Sequence, residues 1–390
     1  MSVPQPPLTL GVEEEYQIID PRSRNLHSYI SEFLSQDEER EERVNIKPEL
    51  MQSQVEVGSQ ICANIGEVRQ EIKRLRREVF KMAEENGLRI AAASTHPFAK
   101  WEEQNITEGV RYRELLDDMQ RVARGLLIFG MHVHVGFGPE PEAKDLMMEI
   151  MNQARYFVPH LLALSTSSPF WHGYNTGLKS YRSVVFEMLP RTGIPHSFDS
   201  WAEYKSYEKT LEKVGSFGKR DPVAKIWWDI RPHPIFDTME LRIADICTKV
   251  DECVCIAAVF QSICAKLIKL RRTNMSWRQY RHMHVTENKW RAVRYGIHGD
   301  LIDFGIEESV PFHILMEELL ELLDDVVDEI GTRQDVEYIY TILEEGTSAD
   351  RQIAVYEAAG GDTNRREALK AVVDNLVEET GAGIWDQETD

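Results

Sequence analysis

The chain has 390 residues, 42% hydrophobic and 28% charged, an ordinary globular composition with enough apolar material for a large core. Its net charge of −20 and pI near 5.1 work against nucleic acid and anionic membrane as partners, because both would be repelled. An anionic small molecule stays open wherever metal or arginine offsets that charge.

The opening residues, MSVPQPPLTL, carry no basic segment ahead of an apolar stretch, and no run of about 18 apolar residues suggests a bilayer span. The expected location is the cytoplasm. Cys62, Cys247, Cys253, Cys255 and Cys264 show no CxxC spacing, and four fall in or near one helical segment. They are expected as reduced core residues.

In chain order, residues 8–19 read as a strand and 20–23 as a turn. The charge run 37–43 is expected as an exposed loop or helix end. Residues 48–58, rich in Val and Gln, read as a second strand. Val68, Ile72, Leu75 and Val79 recur at helical spacing, with Gly87 as a C-cap. Residues 88–93 read as a buried strand, 112–127 as a helix and 129–137 as an alternating strand. Helices are expected at 140–164, 200–214 and 251–270, and strands at 226–230 and 239–243. From Phe312 the chain reads as almost wholly helical, over 317–330, 336–345, 349–358 and 365–379. Strands scattered through the first two-thirds and helices at the end predict an α+β fold, an antiparallel sheet with helices on one side.

Gly11-Val12-Glu13-Glu14-Glu15-Tyr16 places three carboxylates inside an apolar strand. Residues two apart share a strand face, so Glu13 and Glu15 point together and Glu14 points away. Like charges side by side destabilise a sheet unless a positive group offsets them, and divalent metal is the usual solution. A solvated acidic edge that resists aggregation is the alternative. In Gly130-Met131-His132-Val133-His134-Val135-Gly136, the two histidines share one face and the valines the other. Paired imidazoles there suit metal or anion binding, and the flanking glycines permit close backbone approach. Glu240 and Arg242 likewise share a face, as an ion pair or as a metal ligand beside a phosphate-binding fork. Glu49 and Glu56 are seven residues apart, which on one regular strand puts them on opposite faces. A bulge or bend is needed for both to reach one site. Arg182, expected in a loop, Arg231 and Arg294 are further candidates for the anion side. No GxxxxGK[ST], GxGxxG or GxSxG motif is present, so any nucleotide must be held by metals and arginines. The oxygen-rich set Glu13, Glu15, Glu49, Glu56 and Glu240, with one or two imidazoles, suits Mg²⁺ or Mn²⁺ better than zinc.

Nine stretches together carry a resemblance: GVEEEY at Gly11, PELMQSQVEVGS at Pro48, STHPFAKW at Ser94, RYRELL at Arg111, GMHVHVG at Gly130, RYFVPHLLALSTSSPFW at Arg155, DIRPHP at Asp229, MELRIAD at Met239 and RYGIHG at Arg294. In this order they resemble the type-2 glutamate–cysteine ligases, or bacterial carboxylate–amine ligases, over nearly the whole chain. The resemblance implies a single catalytic unit over residues 1–390, with a helical part at about 312–380. It implies a glutamine synthetase-like curved antiparallel sheet forming a funnel, with helices packed outside. It implies two or three Mg²⁺ or Mn²⁺ ions held by Glu13, Glu15, Glu49, Glu56, His132 and Glu240, with His134 nearby. Arg242 is implied as a phosphate contact, and Arg182 and Arg231 as groups orienting the substrate carboxylate and phosphates. The implied reaction uses ATP to activate a carboxylate, typically the γ-carboxylate of glutamate, as an acyl phosphate that an amine then captures. The segment 165–196 is expected to shape the acceptor pocket. A hydrolase or phosphotransferase using the same metals is the competing enzyme class, and a binding protein that kept the scaffold is the non-catalytic one. A homo-oligomer is the base-rate expectation.

Overall fold

Strand β1 (Leu10–Ile19) runs through the middle of a seven-stranded antiparallel sheet. The computed structural model describes residues 5–39, 44, 46–217 and 225–385; residues 40–43 of the expected charge run lie outside this set. The remaining strands are β2 (Lys47–Pro48), β3 (Gln54–Gly58), β4 (Arg89–Ala91), β5 (Met131–Gly136), β6 (Ile230–Pro232) and β7 (Thr238–Leu241). The order is β6-β7-β5-β1-β3-β2, with β4 also paired to the end of β1. This is the predicted α+β arrangement of an antiparallel sheet with helices outside it.

Alternation along β1 divides the sheet into two chemical faces. Val12, Tyr16 and Ile18 are buried on the back, where helices α1 (Ile65–Glu85) and α3 (Val250–Arg272) pack. Helix α1 buries Val68, Ile72, Leu75 and Val79 on one stripe and is N-capped by Asn64, which accepts from the Glu67 N–H at 3.0 Å. Helix α3 meets the length and apolarity of a membrane span, contrary to the expectation that no segment does. However, 83% of its apolar window is buried inside the protein, so that surface is used by the core. All five cysteines are unpaired and buried.

Glu14 also points to the back. Arg76 of α1, wholly buried, donates to both Glu14 oxygens, and the Tyr16 hydroxyl donates to Oε2 at 2.5 Å. Arg76 further donates to the Cys247 carbonyl at 2.9 Å and the Thr248 carbonyl at 2.6 Å. This network ties β1, α1 and the approach to α3 together.

Several elements differ from expectation. Residues 48–58 are not one strand: β2 and β3 form a hairpin in which Lys47 faces Glu56 and Pro48 faces Val55. The expected helix over 140–164 breaks at a 3₁₀ turn, Arg155–Phe157, before resuming at Val158–Ser165. Pro159 cannot donate to residue 155 and its ring crowds that carbonyl. The helix over 112–127 is cut at Gln120, which has φ 52°. Arg182 lies on a helix, α2 (Tyr181–Phe186), not in a loop. The strand over 226–230 is split: Trp227–Trp228 pairs with Thr192–Gly193, whereas β6 joins the main sheet. At the far end, Arg365–Gly381 packs on β4, and the Thr380 hydroxyl accepts from the Ala92 N–H at 2.9 Å.

Arg76→Met leaves the Glu14 charge buried without its partner, so stability should fall by about 3–5 kcal/mol. Urea unfolding checks this, and Glu14→Gln combined with Arg76→Met should recover part of the loss.

Candidate functional site

Cross-strand register collects the front-face side chains. Glu13 lies between His132 on β5 and Gly58 on β3; Glu15 lies opposite Glu56. Glu240 on β7 lies opposite His134 on one side and Arg231 on the other. Directly opposed residues share a face. Glu13, Glu15, Glu56, His132, Arg231 and Glu240 line one cavity of about 840 Å³, whereas His134 and Gly58 do not.

Two groups of three ligands result. In the first, atoms of Glu13, His132 and Glu240 lie within 4.8 Å of one another; in the second, atoms of Glu15, Glu49 and Glu56 do. Glu13 and Glu15 therefore do not share a single counter-charge but belong to separate groups. The hairpin removes the parity problem of Glu49 and Glu56, since Glu49 directly follows β2, Glu56 lies on β3 and the bend runs between them.

The first group is rich in cations. Arg231 Nε donates to Glu240 Oε2 at 2.7 Å, and Arg242 Nη1 donates to Oε1. Burial opposes ionisation of Glu240, but these two guanidinium charges outweigh it and hold the carboxyl well below the usual range. Burial likewise opposes ionisation of Glu13, yet its contacts with His132, at 3.3 Å, and His134 hold it low. His132 is pushed down to about 4 by burial and the Arg242 charge, which leaves a neutral imidazole at neutral pH. His134 accepts from or donates to Thr238 Oγ1 through Nδ1 at 3.1 Å. Its Nε2, 3.8 Å from Glu13, is buried with no hydrogen-bond partner among the described residues.

The second group is short of cations. Burial pushes Glu15 up to about 7, with the Glu56 charge adding to it. Burial and the Glu49 and Glu13 charges push Glu56 up to about 8, and Glu49 is raised by burial and Glu15. Glu15 accepts the Gly130 N–H at 2.7 Å. Lys47 Nζ donates to Glu56 Oε1 and to Glu13 Oε1, both at 2.9 Å, and so joins the two groups.

Arg182 is held from behind: Nη1 donates to the Ile243 carbonyl and Nη2 to that of Arg242, both at 3.1 Å. Asp245, wholly buried, accepts from the Ser167 N–H and the Ser168 and Ser180 hydroxyls, fixing the start of α2. A Cβ at Gly130 would sit 2.7 Å from Arg182 Nη2 and 3.3 Å from His132 Nε2, which is why that position is glycine. Arg294 is exposed, binds the Gly177 carbonyl and does not reach the cavity.

Sequence reasoning missed Lys47, and it gave no role to Arg111, Tyr112, Trp227 or His233, which also line the cavity. Lys47 directly precedes the matched PELMQ stretch, an adjacency visible in the sequence, but nothing in the sequence shows what it contacts.

The donor set fits divalent metal. Carboxylates prevail, one group combines them with a neutral imidazole, the other crowds three acids, and a second imidazole nitrogen is left unbonded beside them.

Solved structures share this fold. The crystal structure of a bifunctional glutathione synthetase from Pasteurella multocida aligns with a TM-score of 0.64 and 15% identity, covering 97% of this chain and 53% of that one. Glutamate–cysteine ligase from Francisella tularensis, solved with AMP, aligns with a TM-score of 0.60 and 11% identity over 96% of this chain and 89% of that one. The class is that of an ATP-dependent ligase. Residues 9–375 match the profile of glutamate–cysteine ligase family 2, and the chain belongs to that family. Relatives named "Putative glutamate--cysteine ligase 2" include one from Herpetosiphon aurantiacus, 51% identical over 99% of this chain and 97% of that protein. Another, from Roseiflexus castenholzii, is 50% identical over 98% of this chain and 97% of that protein.

With raised proton affinities, Glu15 and Glu56 are neutral near pH 5 and repel each other and Glu49 once ionised near pH 8. Their folded forms bind more protons than the unfolded chain between these limits, so stability falls as pH rises. Glu49→Gln should therefore stabilise the metal-free protein at pH 8 by about 1–2 kcal/mol, one pKa unit being 1.36 kcal/mol. It should change little at pH 5. Urea unfolding in chelator at both pH values checks this.

Proposed function

We propose that the protein joins a carboxylic acid to an amine at the expense of ATP, through an acyl phosphate, with Mg²⁺ or Mn²⁺ at the two ligand groups. The observation that carries this reading is the pair of three-ligand groups on one sheet face, flanked by Arg182, Arg231 and Arg242. Glu13, His132 and Glu240 would hold one ion, and Glu15, Glu49 and Glu56 another, with His134 beside the first. When bound, such ions would neutralise nucleotide phosphate charge and disperse the charge that develops in phosphoryl transfer.

The chain's own residues supply position and field. Arg231 and Arg242 clamp Glu240 from two sides and keep it ionised, which fixes its carboxylate at the cavity wall. Arg242 also contacts His132 Nδ1 at 3.4 Å, so the guanidinium that would meet a phosphate is fixed by the ligand set itself. Arg182, held by two main-chain carbonyls, offers fixed positive charge to a substrate carboxylate or phosphate oxygen. The carboxylate of the substrate is the nucleophile, so no protein nucleophile is required, and the site presents none of the nucleophile motifs. The whole chain is taken as one ligase unit. Five unpaired cysteines suit a reducing compartment, the cytoplasm.

The names of the relatives point to glutamate as acid and cysteine as amine. The test is ADP release from Mg²⁺-ATP with glutamate and a panel of amino acids and amines. Release that needs both glutamate and one acceptor is expected; release without any acceptor would assign a hydrolase or phosphotransferase instead. Even outer-shell partners of a metal cost 10–100-fold on mutation, so Glu13→Gln and Glu240→Gln should each lower kcat by about 100-fold or more. Each should also weaken Mn²⁺ binding, measured on protein of unchanged circular dichroism.

A further inference from the structure

Lys47 occupies a place no role has yet explained. Its Nζ lies 2.9 Å from Glu13 Oε1 and 2.9 Å from Glu56 Oε1, one carboxylate from each ligand group. It starts from β2, directly opposite Glu56, and must cross β3 to reach Glu13 on β1. Gly58, which faces Glu13, leaves the path open: a Cβ there would sit 3.6 Å from Lys47 Nζ and 3.7 Å from Glu13 Cγ. The Lys47 side chain is 50% exposed, so it can withdraw to solvent with little loss of packing.

We propose that Lys47 is an internal counter-cation that competes with divalent metal for Glu13 and Glu56 and withdraws when the two groups load. The inference rests on the metal reading given under the proposed function. An ammonium beside crowded carboxylates offsets their repulsion in the metal-free protein. Once both carboxylates hold divalent charge, the same ammonium at the same two oxygens is repelled. Lys47 thereby limits metal affinity and offsets part of the charge repulsion in the empty site.

The test is Mn²⁺ titration of the full chain, followed by the electron paramagnetic resonance signal of free Mn²⁺, for wild type, Lys47→Met, Lys47→Arg and Glu240→Gln. Removing one positive charge at contact distance should tighten Mn²⁺ binding by about ten-fold or more in Lys47→Met. Lys47→Arg should not tighten it. Equal or weaker binding by folded Lys47→Met would overturn the proposal while leaving the metal reading intact. Absence of Mn²⁺ binding by wild type, matched by Glu240→Gln, would overturn both. Should Lys47→Met fail to fold, wild type alone decides: Mn²⁺ should speed acylation of Lys47 by an N-hydroxysuccinimide ester, mapped by mass spectrometry. An unchanged or slower rate would overturn the proposal.

Discussion

Glu14 is a carboxylate on the sealed, apolar face of a central strand, and Arg76 is the group that makes this tolerable. The pair is almost wholly buried and is completed by the Tyr16 hydroxyl and two main-chain carbonyls. A one-residue slip of β1 would send Glu14 to the cavity and drive Glu13 and Glu15 into the core. The Glu14–Arg76 contact therefore sets the register that presents two carboxylates, and not one, to the front. Position of the site follows from the same register: β5 brings His132 to Glu13, and β3 brings Glu56 to Glu15.

The front face is divided electrically. Around Glu240, two guanidinium groups hold the acid ionised, and an adjacent imidazole is neutral. Around Glu15, three acids stand close with too little positive charge among them, and two are pushed up to about 7 and 8. An uncompensated buried cluster lowers fold stability, and such strain concentrates where a site must bind something. A divalent ion, as proposed above, would supply the missing charge. The structure thus trades stability of the empty protein for binding capacity, and Lys47 moderates that trade.

Strands with strict alternation were legible from sequence, because period-two patterning states which side chains share a face. This holds for Glu13 with Glu15, His132 with His134, and Glu240 with Arg242. The C-terminal region was legible as helical, although the helix expected over 336–345 is divided into Arg333–Glu337 and Ile339–Glu345. The hairpin at Lys47–Gly58 was not: its arms are short, no Asn-Gly or Asp-Gly marks the reversal, and Gln54-Val55-Glu56-Val57 alternates polar and apolar directly after it. That single omission produced the conflict over Glu49 and Glu56. Arg76 was hidden because an arginine on an amphipathic helix reads as solvated until the helix is docked. Lys47 was hidden because its role depends on a neighbouring strand and on the space above Gly58.

The central claim is that β1 contributes one carboxylate to each of two metal sites. Anomalous diffraction from crystals grown with Mn²⁺ and a non-hydrolysable ATP analogue tests it most directly. The account predicts two manganese peaks, one among Glu13, His132 and Glu240 and one among Glu15, Glu49 and Glu56. A peak set that leaves either group empty, or that places manganese away from β1, would contradict it.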